Sequence, residues 1–304
     1  LGWDVITAKD AGLVGDGVAD DQAAMTALMN DPTKKVIRFT PGIYRAYMNN
    51  IISGRTLIFD EGAIIDGTVH IAVGKGPDTH AVPTIEWVED TRVIGTVTST
   101  VRVGSFYCRR LNIDKILITE INPAYINQTV EGGTKGVHLY CGTKDTEVGE
   151  IIIKSATGAG YAFSLDRATT NDADHIPNNV HIGRLVVHNN TQAIISTNST
   201  VNLTIDEVIA DSWDTYAAMT LTADTNLRIG KITAAATPST PSRDGIYVLN
   251  GVSASFGEVN ISGSTQIGFR TFNCGKVDVG IIWSKGNALD QVRLESPGTV
   301  GRIE

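Results

Sequence analysis

The sequence predicts an all-β chain built as a parallel β-solenoid, and three observations carry that prediction. Ile, Val and Thr together number 94 against 15 Leu in 304 residues; β-branched side chains lose rotamer freedom in helices and pack well on pleated sheets. Thirty-one Gly with 6% aromatic and 19% charged residues ask for many tight turns. Finally, a pattern of apolar residue, Gly or Asp, variable residue, apolar residue recurs along the chain. It reads Ile113-Asp114-Lys115-Ile116, Val148-Gly149-Glu150-Ile151, Ile182-Gly183-Arg184-Leu185 and Ile205-Asp206-Glu207-Val208. It continues as Ile229-Gly230-Lys231-Ile232, Phe256-Gly257-Glu258-Val259, Val279-Gly280-Ile281-Ile282 and Val300-Gly301-Arg302-Ile303. The spacings between these markers are 35, 34, 23, 24, 27, 23 and 21, so the unit is near 23 residues and two intervals carry insertions of about ten.

Each unit holds a second apolar stretch ahead of its marker, as in Val137-His138-Leu139-Tyr140, Phe163-Ser164-Leu165, Ala218-Met219-Thr220-Leu221, Ile246-Tyr247-Val248-Leu249 and Phe269-Arg270-Thr271-Phe272. Two or three short strands per unit, separated by polar turns, make one coil. Stacked coils lie about 4.8 Å apart, so equivalent positions in successive units become neighbours. On that basis Asn198, Thr222, Asn250 and Asn273 are expected to form a polar ladder at a turn. A β-sandwich also has many short strands, but it does not call for one motif at so regular a spacing.

The N-terminal 45 residues differ. Gly15-Asp16-Gly17 reads as a turn, Asp20 or Asp21 as a helix cap, and Gln22 through Met29 as a short helix stopped near Asp31-Pro32. Lys35 through Arg45 reads as a strand ending in a Pro41-Gly42 turn. Such a lid is what a solenoid needs, because its end coil otherwise exposes a core and an unpaired edge. The expected organisation is a cap over 1–45 and one continuous domain of coils over 46–304.

Other classes are disfavoured. Hydrophobic content of 42% is too high for disorder, and no apolar run nears the ~18–20 residues that cross a bilayer, so no membrane insertion is expected. A net charge of −8 disfavours nucleic acid as partner, while leaving room for an acidic substrate in a local basic pocket. Cys108, Cys141 and Cys274 show no metal-ligand spacing and read as buried small hydrophobes; no metal and no cofactor is expected. The chain begins at Leu1 without a charged and apolar leader, and reads as a mature or trimmed segment.

The run Gly15-Asp16-Gly17-Val18-Ala19-Asp20-Asp21, the helix after it, and Phe39-Thr40-Pro41-Gly42-Ile43-Tyr44 together resemble the N-terminal cap of the pectate-lyase-like right-handed β-helix superfamily, in the branch of bacteriophage tailspikes, exo-glucanases and mannuronan epimerases. The resemblance implies a single-stranded right-handed parallel β-helix with a short N-terminal capping helix. It implies that Asp20-Asp21 belongs to the cap and not to a catalytic dyad. One such fold hosts lyases, hydrolases, epimerases and inert fibres, so function has to be argued from a site. Gly-His-Gly, Arg-Ile-Lys and Arg-x-Pro-x-x-Arg motifs are missing, which lowers plant pectin as substrate and raises a phage-type surface glycan.

Paired carboxylates about 5–5.5 Å or 6.5–9.5 Å apart would serve glycoside hydrolysis. The position five residues past each marker aligns Lys154, His188 and Asp211 on one edge, and Trp213, Asp214 and Tyr216 follow on the same turn. Glu120 opens the insertion 121–135, and Arg243 closes the insertion 237–243. A second candidate is the insertion beginning Asp166-Arg167, with three Asp, an Arg and a His. The expectation is therefore a catalytic set drawn from Asp211, Asp214, Glu120, Asp166 and His188, with Trp213, Tyr216, Arg243, Arg167 and Lys154 binding sugar. Asp211 and Glu120 are three rungs apart, about 14 Å, too far for a dyad unaided. The function implied is a virion tailspike domain, a homotrimer acting extracellularly, that binds and depolymerises a bacterial capsular or lipopolysaccharide glycan, with hydrolysis favoured slightly over lyase chemistry. The alternatives are a non-catalytic receptor-binding fibre segment and a secreted lyase or epimerase.

Overall fold

The computed structural model describes residues 4–76, 84–119, 135–154, 161–167, 173–188, 193–211, 213, 217–235, 244–251, 253–295 and 298–303. Among these residues the chain is a right-handed parallel β-helix with one α-helix, Gln22–Asn30. Among the described residues from Arg102 onward, each coil contributes one short strand to a ten-stranded sheet and one longer strand to a sixteen-stranded sheet, and the coils before it add two short strands to the latter. Lys135–Tyr140 is followed by Lys144–Ile153, Tyr161–Asp166 by Asn178–Val187, Ala193–Asn198 by Val201–Ala210, and Met219–Thr222 by Leu227–Ala235. The same alternation continues to the strand Gly298–Ile303.

The recurring marker is a bend in the long strand. At Gly183 a Cβ would lie 2.5 Å from the carbonyl oxygen of Gly149 in the coil below, and at Gly257 it would lie 2.4 Å from that of Gly230. Stacked bends that close leave room for glycine. Where Asp stands instead, its carboxylate ties back to the preceding coil: Gly95 N–H donates to Asp114 Oδ2 (2.9 Å), and Asp206 Oδ2 meets His181 Nε2 (3.0 Å). The flanking apolar residues point inward and fill one continuous core; Ile116, Ile151, Leu185, Val208, Ile232, Val259 and Ile282 form one of its columns.

The residue after the bend faces outward, and down the stack it runs Lys115, Glu150, Arg184, Glu207, Lys231, Glu258. Opposite charges one rung apart pair at 2.7 Å (Lys115–Glu150), 3.0 Å (Glu150–Arg184), 3.1 Å (Arg184–Glu207) and 3.2 Å (Lys231–Glu258).

The expected polar ladder is corrected in register. Asn198 stacks on Thr222, but the next partners are Leu249 and Phe272, because the apolar strand of those coils runs one residue further. Asn250 and Asn273 fall one position on, both with φ of 52°, and bond amide to carbonyl at 2.7 Å. An amide ladder does form across the turn, where Asn226 donates to Asn202 (2.7 Å) and Asn202 to Asn178 (3.3 Å).

At the N-terminal end the helix buries Met25, Leu28 and Met29 against the first coil. Asp21 is not a catalytic group: its carboxylate accepts Val14 N–H (2.6 Å) and Gly15 N–H (3.2 Å), while Asp20 accepts Gln22 N–H (2.9 Å) at the helix start. Residues 16–20 are extended and pair with Gly42–Arg45, with left-handed Gly15 and Gly17 shaping the run. The buried Arg55 closes the helix C-terminus by donating to the carbonyls of Met29, Asp31 and Lys34 and to Asn50 Oδ1. That satisfies acceptors a helix end leaves open. All three cysteines are free and buried.

Candidate functional site

Alternation along the short strands sends Val69, Val103, Val137, Phe163, Ile195 and Met219 into the core. Their neighbours therefore point outward, and they form the column His70, Gly104, His138, Ser164, Ser196, Thr220. A second outward column, two residues on, is Phe106, Tyr140, Asp166, Asn198, Thr222. The N-terminal half of this face carries a joined set of ionisable and aromatic groups.

Asp166 is its centre. Its Oδ2 accepts from Lys135 Nζ and from Ser164 Oγ, and lies 3.4 Å from His138 Nε2. On the other side of the ring, Arg102 Nη2 lies 2.9 Å from His138 Nδ1. A guanidinium can only donate, so Nδ1 accepts from Arg102, while Nε2 lies between Lys135 Nζ at 3.2 Å and the Asp166 carboxylate. Burial, against the pull of Asp166, lowers the His138 pKa to about 3, with the charges of Lys135 and Arg102 adding to it. Burial works to raise the Asp166 pKa, but the His138 hydrogen bond and the Lys135 charge outweigh it and hold the group at about 2. His138 is thus neutral and Asp166 ionised near pH 7.

The rings continue the array. Tyr47 meets His70 at a centroid distance of 5.2 Å, His70 meets Phe106 at 4.7 Å, Phe106 meets Tyr140 at 6.1 Å, and Tyr140 meets His138 at 4.8 Å. Burial, followed by the Arg102 and His138 charges, pushes His70 down to about 3. With both histidines neutral, Arg102 and Lys135 against Asp166 leave one net positive charge in this cluster, within a chain of net charge −8.

Of the residues expected from sequence, Asp166 lies in this cluster and Arg167 follows it, its N–H bonded to Asn198 O (3.3 Å). The predicted edge exists: the N–H groups of Lys154, His188 and Asp211 donate to Ile118, Ile153 and Val187, one rung below each. His188 Nδ1 and Asp211 Oδ2 meet at 2.6 Å with about half of each side chain exposed. The structure does not join Asp211 to Asp166: Asp211 precedes the short strand of its coil, whereas Asp166 ends the short strand of another. Trp213 is a correction. Its side chain is fully buried in the hydrophobic core and offers no face to a sugar. Glu120, Asp214, Tyr216 and Arg243 lie outside the described residues.

A second perturbed carboxylate, Asp224, does not complete a dyad. Burial pushes it up to about 6, but it is bonded by Thr197 Oγ1 and by the N–H and hydroxyl of Thr200, and Thr197 shares the inward column of Leu165 and Leu221. Asp224 and Asp166 therefore face opposite sides of the sheet. A groove of about 680 Å³ on the sixteen-stranded sheet, lined by Asp145, Glu147, Asn179, His181, Asn202 and Arg228, is shallow and polar.

Lys135, His138, Arg102 and His70 were missed by sequence reasoning that searched for carboxylate pairs near insertions. The signal was present: in Val137-His138-Leu139-Tyr140 a period of two with Val and Leu inward sets His138 and Tyr140 outward.

No protein-family model and no curated protein matches the chain by sequence. Solved structures match it by fold. The catalytic unit of a thermostable GH87 α-1,3-glucanase from Streptomyces thermodiastaticus strain HF3-3 is similar over 99% of this chain and 69% of its own, with 12% identity and a TM-score of 0.54. The Streptococcus pneumoniae surface protein and adhesin PfbA aligns over 99% of this chain and all of its own, at 11% identity and a TM-score of 0.47. The A-module of the Azotobacter vinelandii mannuronan C-5 epimerase AlgE6 aligns over 98% of both chains, at 13% identity and a TM-score of 0.48. At these identities the likeness concerns the fold.

Proposed function

We propose that this chain binds and depolymerises a bacterial surface polysaccharide, capsule or lipopolysaccharide, as the β-helix domain of a phage tailspike that acts outside the cell as a homotrimer. The observation that carries the reading is the joined Arg102, Lys135, His138, Ser164 and Asp166 set on the outer face of the ten-stranded sheet. It places proton-handling groups, cations and rings on a rigid parallel scaffold whose outward columns run on through Ser196, Thr220 and Tyr247. Hydroxyl-bearing side chains repeated about every 4.8 Å along a straight face suit an extended glycan strand. Asp166 is the carboxylate of this set among the described residues, and it is held ionised, so hydrolysis by a pair of carboxyls loses ground as the reaction.

The test is incubation of the purified protein with capsular and lipopolysaccharide glycans from a panel of bacteria, followed by chain length and new reducing ends. Shortening of at least one glycan, lost in Asp166→Asn, is the expected result. Binding without shortening would convert the reading to a receptor-binding fibre, and a monomeric mass in solution would remove the trimer.

A further inference from the structure

We propose that the groove on the sixteen-stranded sheet is a second, non-catalytic glycan site, which holds a zwitterionic saccharide by its ammonium group at one end and its acid group at the other. The choice of a glycan rests on the reading above; the place and the charge pattern do not.

The groove, about 680 Å³, lies on the outer face of a different sheet from the Asp166 cluster. Alternation along the long strands puts Val148, Ile182, Ile205 and Ile229 in the core. The residues before them, Glu147, His181, Thr204 and Arg228, therefore face outward in one column. Glu147 and Arg228 stand three rungs apart, about 14 Å.

The two ends of this column carry opposite charges that the protein itself leaves unpaired. Arg228 is exposed, its neighbours in register are Thr204 and Ser255, and it has no hydrogen bond or ion pair among the described residues. At the other end Glu147 and Asp145 are also exposed and meet side-chain amides in place of cations. Asn112 Nδ2 donates to Glu147 Oε2 (3.3 Å) and Asn179 Nδ2 to Asp145 Oδ1 (2.9 Å). The basic groups nearby are engaged elsewhere: Lys144 pairs with Asp174 (2.7 Å), Arg184 with Glu150 and Glu207, and His181 Nε2 meets Asp206 Oδ2 (3.0 Å). In the next column of the same sheet, Lys115, Glu150, Arg184 and Glu207 alternate in sign and pair rung by rung. Here the signs are gathered at opposite ends, with His181 and Thr204 between them, and a ligand that spans the groove with a cation and an anion about 14 Å apart satisfies both.

Between the ends the lining offers hydrogen bonds in both senses. Asn226 Nδ2 donates to Asn202 Oδ1 (2.7 Å) and Asn202 Nδ2 to Asn178 Oδ1 (3.3 Å). A primary amide has two N–H donors and two acceptor lone pairs, so Asn202 spends one of each on the row and keeps one of each for a ligand. Amides repeated at one-rung spacing, with the Thr204 hydroxyl beside them, suit the hydroxyls of a sugar chain. An extended peptide is served less well. The strands beneath, Lys144–Ile153, Asn178–Val187, Val201–Ala210 and Leu227–Ala235, each pair with a strand on both sides, so a peptide backbone finds no free edge. Among the described residues the exposed lining is polar throughout and gives apolar side chains no pocket. A site on this face adds avidity for a polymer long enough to reach the Asp166 face as well.

The test is retention on the immobilised whole chain of carboxymethyl chitosan, which carries both amines and carboxylates. Soluble chitosan oligomers, carboxymethyl cellulose and dextran serve as the amine-only, acid-only and uncharged polymers. Carboxymethyl chitosan should be held about tenfold more tightly than the other three at about 0.05 M salt, and the margin should shrink toward about 0.5 M. Glu147→Gln and Arg228→Gln should each weaken its retention about fivefold. The first should narrow the margin over carboxymethyl cellulose, and the second the margin over chitosan. Both side chains are exposed, so the substitutions spare the core. Equal retention of the four polymers, or a preference that survives both substitutions, overturns the site. Tighter retention of a Lys–Glu copolymer peptide than of carboxymethyl chitosan would assign the groove to peptide and overturn the glycan. Shortening of bacterial glycans without this preference removes the groove alone; the preference without shortening removes the depolymerase alone.

Discussion

Two His–Asp pairs on this molecule have the same chemistry and opposite settings. His138–Asp166 is buried on the outer face of the ten-stranded sheet, locked by Arg102 and Lys135. His188–Asp211 meets at 2.6 Å on a solvated edge of the sixteen-stranded sheet. By distance alone the exposed pair is the better bond. The buried pair nonetheless has the strongly displaced protonation equilibria, because desolvation and fixed cations act on it, and water screens neither. Residue types that suggest acid–base chemistry in a sequence acquire it from burial and neighbours.

The sharpest way to break this contrast is to neutralise each acid in turn. Asp166→Asn is expected to abolish glycan shortening and to cost about 3 kcal/mol, because it leaves Lys135 buried without its partner. Asp211→Asn is expected to leave the rate where it was and to change stability by about 0.5 kcal/mol. Rates of chain shortening and urea unfolding of the two variants decide it; the reverse order of effects would move the site to the edge.

Trp213 sharpens the same contrast from the core. Trp213→Ala should cost about 3–5 kcal/mol by opening a cavity in the core. At a temperature where the variant is still folded, its affinity for glycan should equal that of the parent. A selective loss of affinity would restore Trp213 to the sugar-binding set.

Acid should dismantle the buried cluster in a defined window. His70 and His138 titrate near 6.5 in an unfolded chain and at about 3 here, so the unfolded state takes up their protons first. Their contribution is complete above about pH 6.5 and is lost as pH falls from there toward 3. Asp166, held at about 2 against 3.8 unfolded, contributes above about pH 4 and loses that contribution as pH falls toward 2, in the same direction. Urea midpoints at pH 7.5, 6 and 5 should decline, and His138→Gln should flatten the decline. A midpoint independent of pH over that range would contradict the burial assigned to both rings.

The solenoid was legible because its cause is repetitive. The stacked bends at Gly149, Gly183, Gly230 and Gly257 leave a mark in every coil, and β-branched residues beside them fill columns. The edge column Lys154, His188, Asp211 followed from the same count. The buried cluster was not legible in that way, because it is assembled across rungs and columns: His70 and His138 share one column with Gly104 between them, Asp166 lies in another, and Arg102 and Lys135 come from the starts of their strands. Asp166 was found through the insertion that follows it, whereas Lys135, His138 and Ser164 belong to short strands outside that signal. Trp213 misled because an aromatic beside Asp211 and Asp214 in sequence looks like a sugar platform, while its ring is buried in the core.

The alternating charges after the bend stand in the sequence as the variable residue of each marker, and they give the smallest and most local effect. Arg184 bonds Glu150 and Glu207 at once, in a place where nearly half of its side chain is exposed. Exposed pairs are screened and cost side-chain entropy, so Arg184→Ala should destabilise by only about 0.5–1 kcal/mol and leave glycan shortening unchanged. A charge reversal is more telling than a deletion. Arg184→Glu sets three like charges one rung apart, about 4.8 Å, with no helix or loop able to relieve them, since the rung spacing is fixed by backbone hydrogen bonds. Its cost should exceed that of Arg184→Ala and shrink as salt is raised from about 0.05 to 0.5 M. Equal cost for the two variants at low salt would mean that the column is held by packing of the arginine stem and not by the alternation of sign.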